Sequence, residues 1–218
     1  MTRRPTEEAR SAEDALSAEG PLPGQDDLSA HVPFADLARK VRLVILDVDG
    51  VLTDGAIWVG ALPGGESLEL KRFDILDGLG IRLLQEAGIE VAFVSGRVSR
   101  ATEVRARELE VVECHQDGGA QKVRAIRGIL QRLGVDWDQV AMLADDLPDL
   151  AVLRRVGLPA AVANATSEVR RAVVWQGERR GGDGAVREFC EAILKARGEW
   201  ERLVEDYVRA RNDDGREE

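Results

Sequence analysis

Five short apolar runs rich in β-branched residues recur along the chain, at residues 41–46, 89–94, 111–114, 140–144 and 160–163. Each is too short for a buried helix and apolar at consecutive positions, as a strand covered on both faces must be. Helix-length amphipathic segments separate them, at 78–87, 99–109, 119–133 and 147–156, and a last one follows at 185–196. Strands that alternate with helices are joined by right-handed crossovers, and the product is a doubly wound parallel sheet. The predicted fold class is therefore α/β, a doubly wound parallel sheet of Rossmann-like form. One segment breaks the rhythm. Residues 56–60 and 67–73 flank Pro63, Gly64 and Gly65, which supply a turn, so a β-hairpin is expected as a flap just after the first strand. It is too small to be a second domain or a cap.

A chain of 218 residues can bury about 70% of its unfolded surface in one core. Three segments are expected: a flexible N-terminal tail over 1–33, one folded domain over 34–198, and a C-terminal helix with an acidic tail over 199–218. The net charge of −10 disfavours a nucleic-acid partner, since phosphate backbones call for a basic face. No apolar run approaches a membrane span of about 20 residues. Cys114 and Cys190 make no disulfide framework and the start shows no signal-peptide pattern, so a cytoplasmic location is expected.

In open α/β sheets ligands bind beyond the carboxyl ends of the strands, so the residues leaving each strand carry the chemistry. The first strand ends in Asp47-Val48-Asp49-Gly50, followed by Thr53. Two carboxylates at the mouth of a buried strand are costly unless something positive binds them, although acids also cap loops after strands. The second strand ends in Ser95-Gly96-Arg97, a hydroxyl beside a helix start that suits a phosphate, or merely a helix cap. Lys122 begins the helix after the third strand and is one of only four lysines among 30 basic residues. The fourth strand ends in Asp145-Asp146-Leu147-Pro148-Asp149, where Asp146 or Asp149 could be capping residues. With the first strand central, these ends converge on one crevice. Carboxylates without a His or Cys cluster suit a hard cation such as Mg²⁺, and a carboxylate nucleophile is then the natural chemistry for a phosphoryl group.

The order Asp47-Val48-Asp49, Ser95, Lys122, Asp145-Asp146 resembles the haloacid-dehalogenase superfamily of phosphohydrolases. Over 41–195 the chain is most similar to its capless 3-deoxy-D-manno-octulosonate 8-phosphate phosphatases and their acylneuraminate-phosphatase relatives. That similarity is carried by Asp47–Gly55, Leu70-Lys71-Arg72-Phe73, Asp77-Gly78-Leu79-Gly80-Ile81, Ser95-Gly96-Arg97, Gly181-Gly182-Asp183-Gly184 and Ala185-Val186-Arg187-Glu188. The resemblance implies Asp47 as nucleophile and Asp49 as general acid and base. Mg²⁺ would sit on the carboxylates of Asp47 and Asp145 and the backbone carbonyl of Asp49. Ser95 and Lys122 would hold the phosphoryl oxygens, while Lys71, Arg72 and Arg97 would meet the sugar acid. It further implies a small phosphorylated sugar-acid substrate, a place in lipopolysaccharide biosynthesis, and a homotetramer.

Three departures stand out. Ala144 replaces a usual Gly, Leu76 replaces a usual basic residue before Asp77, and residues 113–122, with His115, differ in spacing. The nucleophile, the metal positions and Lys122 all survive these departures, which bear on the substrate. Two other classes compete. A phospho-acceptor signalling domain shares the acids, hydroxyl and Lys, but Asp49 would hasten loss of its phosphate. An idle oligomerisation module would not need Asp47, Asp49, Lys122 and Asp145 intact. Assembly is expected through the hairpin, because Ala56-Ile57-Trp58-Val59 is apolar at consecutive positions and one core can cover only one face. The alternative is that Trp58 folds back over its own sheet.

Overall fold

The computed structural model describes residues 33–119 and 121–212. The expected tail over 1–33 lies outside these residues but for Pro33, as does the acidic end beyond Asn212. A short helix α1 (Phe34–Ala38) leads into β1 (Leu43–Leu46), all four of whose residues are buried. The hairpin β2 (Trp58–Ala61) and β3 (Ser67–Leu70) follows, then α2 (Ile75–Glu86) and β4 (Glu90–Ser95). Alternation continues through α3 (Arg100–Glu108), β5 (Glu113–Gln116), α4 (Lys122–Leu133), β6 (Val140–Ala144), α5 (Leu150–Leu153) and β7 (Leu158–Ala161). The chain then adds α6 (Ser167–Arg171), β8 (Trp175–Gln176), α7 (Ala185–Ala196) and α8 (Trp200–Arg209).

The sheet order is β5-β4-β1-β6-β7-β8, parallel throughout, with the hairpin as a separate antiparallel pair. This is the doubly wound sheet expected, with β1 central and no cap domain among the described residues. Register does the positioning. Leu46 pairs with Phe93 of β4 and Leu143 of β6, so Asp47, Ser95 and Asp145 leave three adjacent strands at the same edge. Phe93, Ile45, Met142 and Phe189 are buried in the core that fixes this edge.

Several boundaries differ from the periodicity. Helix α2 begins at Ile75 rather than 78, because the Asp74 carboxylate accepts from the Leu76 amide and caps it. Helix α4 begins only at Lys122, since the Asp117 side chain holds the Gly119 and Gln121 amides in a loop. Strand β7 sits two residues before the apolar run expected at 160–163, and the segment expected as a helix over 147–156 is a tight turn through Pro148 followed by one helical turn. The two-residue strand β8 and the short α6 have too little pattern to be seen in sequence.

Candidate active site

Asp47 continues β1 by one residue and is 5% exposed, its amide still bonded to Leu143. Lys122, first residue of α4 and equally buried, donates from Nζ to Asp47 Oδ1 at 2.6 Å and to Asp149 Oδ1 at 2.6 Å. Asp145 leaves β6 alongside them. Carboxylate oxygens of Asp47, Asp145 and Asp149 lie within 4.8 Å of one another. Gly50 makes this approach possible: its φ of +98° suits only glycine, and a Cβ there would fall on the Asp145 carboxylate. Three acids against one lysine leave net negative charge in a buried place. Burial, then the Asp47 and Asp149 charges, pushes the Asp145 carboxyl up to about 7. Burial followed by the Asp47 charge lifts Asp149 to about 7, against the pull of Lys122. Burial also raises Asp47. For Lys122 burial works downward, but the charges and hydrogen bonds of Asp47 and Asp149 outweigh it and the net shift is upward. The donor set, carboxylates without His or Cys, fits a hard divalent cation, whose charge would favour the ionised carboxylates against the burial and mutual repulsion that raise these pKa values.

A second cluster stands where the hairpin meets the crevice. Lys71, just past β3 with its side chain buried, donates to Asp49 Oδ1 at 2.6 Å. Arg97 lies 3.6 Å from the same oxygen and binds Glu69 Oε2 at 2.8 Å. The other oxygen of Asp49, Oδ2, is buried and lacks a hydrogen-bond partner among the described residues. Ser95 is buried at the end of β4, and its Oγ accepts from the Arg97 amide at 3.0 Å. Thus a single turn places Asp47 toward Lys122 and Asp49 toward Lys71 and Arg97.

Arg72 is the expected site residue that stands apart. It is half exposed and bridges Asp183 at 2.7 Å and Asp54 at 3.6 Å, tying the hairpin exit to the Gly181–Gly184 loop. His115 lies in β5, bound to Glu113 at 2.6 Å beside Arg132, and so is occupied at the edge of the sheet. Asp146 is exposed and outside the acid cluster. Asp149, which the sequence offered as a possible capping residue in an acid run at the sheet edge, is the buried acid that shares Lys122. Its signal was the spacing: the turn through Pro148 returns the side chain four positions after Asp145 to the same crevice. Glu69 carried no such signal, being one acid in an exposed-looking strand.

A parallel sheet with acids leaving β1 and β6, a hydroxyl leaving β4 and a lysine opening α4 defines a capless haloacid dehalogenase-like hydrolase. Residues 116–188 match the haloacid dehalogenase-like hydrolase family. The chain is 41% identical over 171 residues to the 3-deoxy-D-manno-octulosonate 8-phosphate phosphatase of Salmonella typhi, a match that covers 78% of this chain and 87% of that one. The fold is shared with the Moraxella catarrhalis enzyme of that name, solved with a magnesium ion, a phosphate ion and a KDO molecule. The TM-score is 0.74 at 35% identity, over 80% of this chain and 97% of the other. The cobalt-bound enzyme of Haemophilus influenzae gives a TM-score of 0.71 at 34% identity, over 79% and 99% of the two chains. The chain belongs to the 3-deoxy-D-manno-octulosonate 8-phosphate phosphatase family.

Proposed function

We propose that this chain is a Mg²⁺-dependent phosphatase that hydrolyses a sugar-acid phosphate, 3-deoxy-D-manno-octulosonate 8-phosphate, through an aspartyl-phosphate on Asp47. The observation that carries it is the buried constellation in which Lys122 bridges Asp47 and Asp149 while Asp145 closes the acid cluster. Asp47 is the nucleophile: its carboxylate attacks phosphorus and the sugar alkoxide leaves. Lys122 orients Asp47 and offers a positive charge to the phosphoryl oxygens, as does the Ser95 hydroxyl. The carboxylates of Asp47 and Asp145 and the Asp49 carbonyl would hold Mg²⁺, with Asp149 beside them. When bound, the ion supplies charge neutralisation for the phosphoryl group against these acids.

Asp49 is the general acid and base. Its buried, unpartnered Oδ2 is the oxygen left for the leaving group, while Lys71 fixes Oδ1. In the first step Asp49 gives its proton to the departing alkoxide; in the second it takes one from the water that attacks the aspartyl-phosphate. That second step also argues against a phospho-acceptor signalling role. Lys71 and Arg97 lie beside Asp49 and would meet the carboxylate of the sugar acid. Arg72, already paired with two acids, would act by holding the Gly181–Gly184 loop unless substrate displaces one of them.

The same reading takes residues 34–198 as the catalytic unit, with a tail over 1–33 and a helix and acidic end over 199–218. It also places the enzyme in the cytoplasm, in lipopolysaccharide biosynthesis. Free Cys114 and Cys190 suit a reducing compartment, and among the described residues no helix is long and apolar enough to cross a membrane. Assembly as a homotetramer through the hairpin is supported by its exposed apolar residues: Ile57 is 58%, Trp58 62% and Val59 67% exposed, so Trp58 does not fold back over its own sheet. Phosphate release from a panel of sugar-acid and simple sugar phosphates, with Mg²⁺ and with chelator, tests the function. Turnover of the octulosonate 8-phosphate well above the others, lost on chelation, is expected; equal turnover of all of them would overturn the substrate assignment.

A further inference from the structure

Two sequence motifs have no part in the chemistry above, Asp77-Gly78-Leu79-Gly80-Ile81 and Ala185-Val186-Arg187-Glu188, and the fold puts them together. Asp77, in the first turn of α2, is 1% exposed, and its Oδ1 accepts from the Arg187 amide at 2.8 Å. Gly80 lets the helices touch there, since a Cβ on it would stand 3.1 Å from the Arg187 Cα. Arg187 is the third residue of α7, the position whose amide an N-cap side chain normally satisfies. The N-cap of α7 is Gly184, which has no side chain and a φ of +86°. Asp77 therefore supplies, from a different helix, the cap that α7 cannot supply for itself.

What precedes this helix gives the cap its consequence. Glu188 reaches back to accept from the Glu178 and Arg179 amides at 3.0 Å, closing the base of the 178–184 loop. The tip of that loop lies on the turn that follows the two acids of β1. The Gly182 amide donates to Val51 at 3.0 Å, and a Cβ on Gly181 would fall on the Gly50 carbonyl. Gly50 is the residue against which Asp145 rests. A continuous path of packed backbone thus runs from Asp77 through the start of α7 and the glycine loop to the acid turn.

We propose that Asp77 is a positioning residue for the reaction: by capping α7 from outside, it seats the Gly181–Gly184 loop on the Gly50–Asp54 turn and so fixes the placement of Asp47 and Asp49. The proposal rests on the assignment of those two acids given above. Asp77 touches neither metal nor phosphate in this scheme, so its loss should lower kcat and leave KM nearly alone. Misplacement of reacting groups by about 1 Å from a remote change costs on the order of a hundredfold.

The test compares full-length wild type, Asp77→Ala, Asp77→Asn and Gly181→Ala with saturating Mg²⁺. Steady-state kinetics are normalised to folded protein, and amide hydrogen exchange is followed over residues 178–188. Asp77→Ala is expected to lose about tenfold to a hundredfold in kcat with KM within about threefold, and to exchange faster over 178–188. Asp77→Asn keeps an acceptor oxygen for the Arg187 amide and should restore kcat to within about threefold. Gly181→Ala, which lifts the loop while leaving the cap intact, should reproduce the kcat loss, and it keeps the test open should Asp77→Ala fail to fold. Wild-type kcat in Gly181→Ala, or in folded Asp77→Ala despite a lowered Tm, would overturn the proposal by showing a purely structural cap. An inactive wild type would instead sink the phosphatase assignment, so the two failures are distinguishable.

Discussion

The acid crevice and the hairpin adjoin through the Lys71–Asp49 pair and break opposite rules. At Asp47, Asp145 and Asp149 the chain crowds carboxylates in or beside the core; at Ile57, Trp58 and Val59 it leaves large apolar side chains in solvent. Ordinary folding explains neither. A buried acid cluster with one lysine is tolerated because a cation and a phosphoryl group bring further charge and hydrogen bonds. An exposed apolar ribbon is the kind of surface that marks an interaction site. Each violation bears on something outside the chain, an ion and substrate in one case and, in the other, the further copy of the chain proposed above. Lys71 joins the two regions, as it leaves the hairpin and ends on Asp49.

The largest effect expected is at the nucleophile. Asp47→Asn should lower turnover by about a thousandfold or more while leaving the fold intact, measured as phosphate release and by circular dichroism. Retention of a tenth of wild-type activity would remove the aspartyl-phosphate from the scheme. Chelation should abolish turnover reversibly and lower the Tm, because an ion bound only by the folded state stabilises it by mass action. A chelated protein with unchanged Tm and activity would mean that the acid cluster has no cation.

On the hairpin side, Trp58→Glu should yield smaller species in sedimentation and a several-fold loss of turnover, with Asp47 and its partners untouched. A wild-type protein that sediments as a monomer at micromolar concentration, yet is fully active, would break the parallel between the two regions. The smallest effect concerns a buried acid outside the crevice. Burial, offset in part by the Arg187 amide, pushes Asp77 from its ordinary value of 3.8 up to about 7. With the folded pKa above the unfolded one, its contribution to stability is complete below about pH 4. It falls as pH rises through about 7. Asp77→Asn, which cannot ionise, should therefore gain Tm relative to wild type as pH goes from about 5 to about 8. The ceiling over that interval is about 3 kcal/mol, at 1.36 kcal/mol per pH unit between about 5 and the folded value of about 7. A difference in Tm that does not change with pH would show that Asp77 does not titrate in this range.

Much of this molecule was legible before its structure. Consecutive apolar residues in β1, β4 and β6 could only be strands covered on both faces, so the doubly wound sheet followed, and with it the edge where Asp47, Ser95 and Asp145 emerge. Gly50 was legible as part of the motif after β1, though not as the gap that admits the Asp145 carboxylate. Boundaries moved where side chains rather than periodicity set them, at the Asp74 cap of α2 and in the Asp117 loop before α4.

The sequence by itself determined the strands, their helices and the residue types at the strand ends, because periodicity and turn chemistry act over a few neighbouring positions. Tertiary structure alone decided which acids count. Asp149 and not Asp146 meets Lys122, Glu69 anchors Arg97, and Asp77 caps a helix that begins at Ala185. The physical reason is that a carboxylate has the same local signature whether it is solvated, caps a helix or is buried against a lysine. Its role is set by burial and by the charge it faces, and both arise only when distant segments pack together.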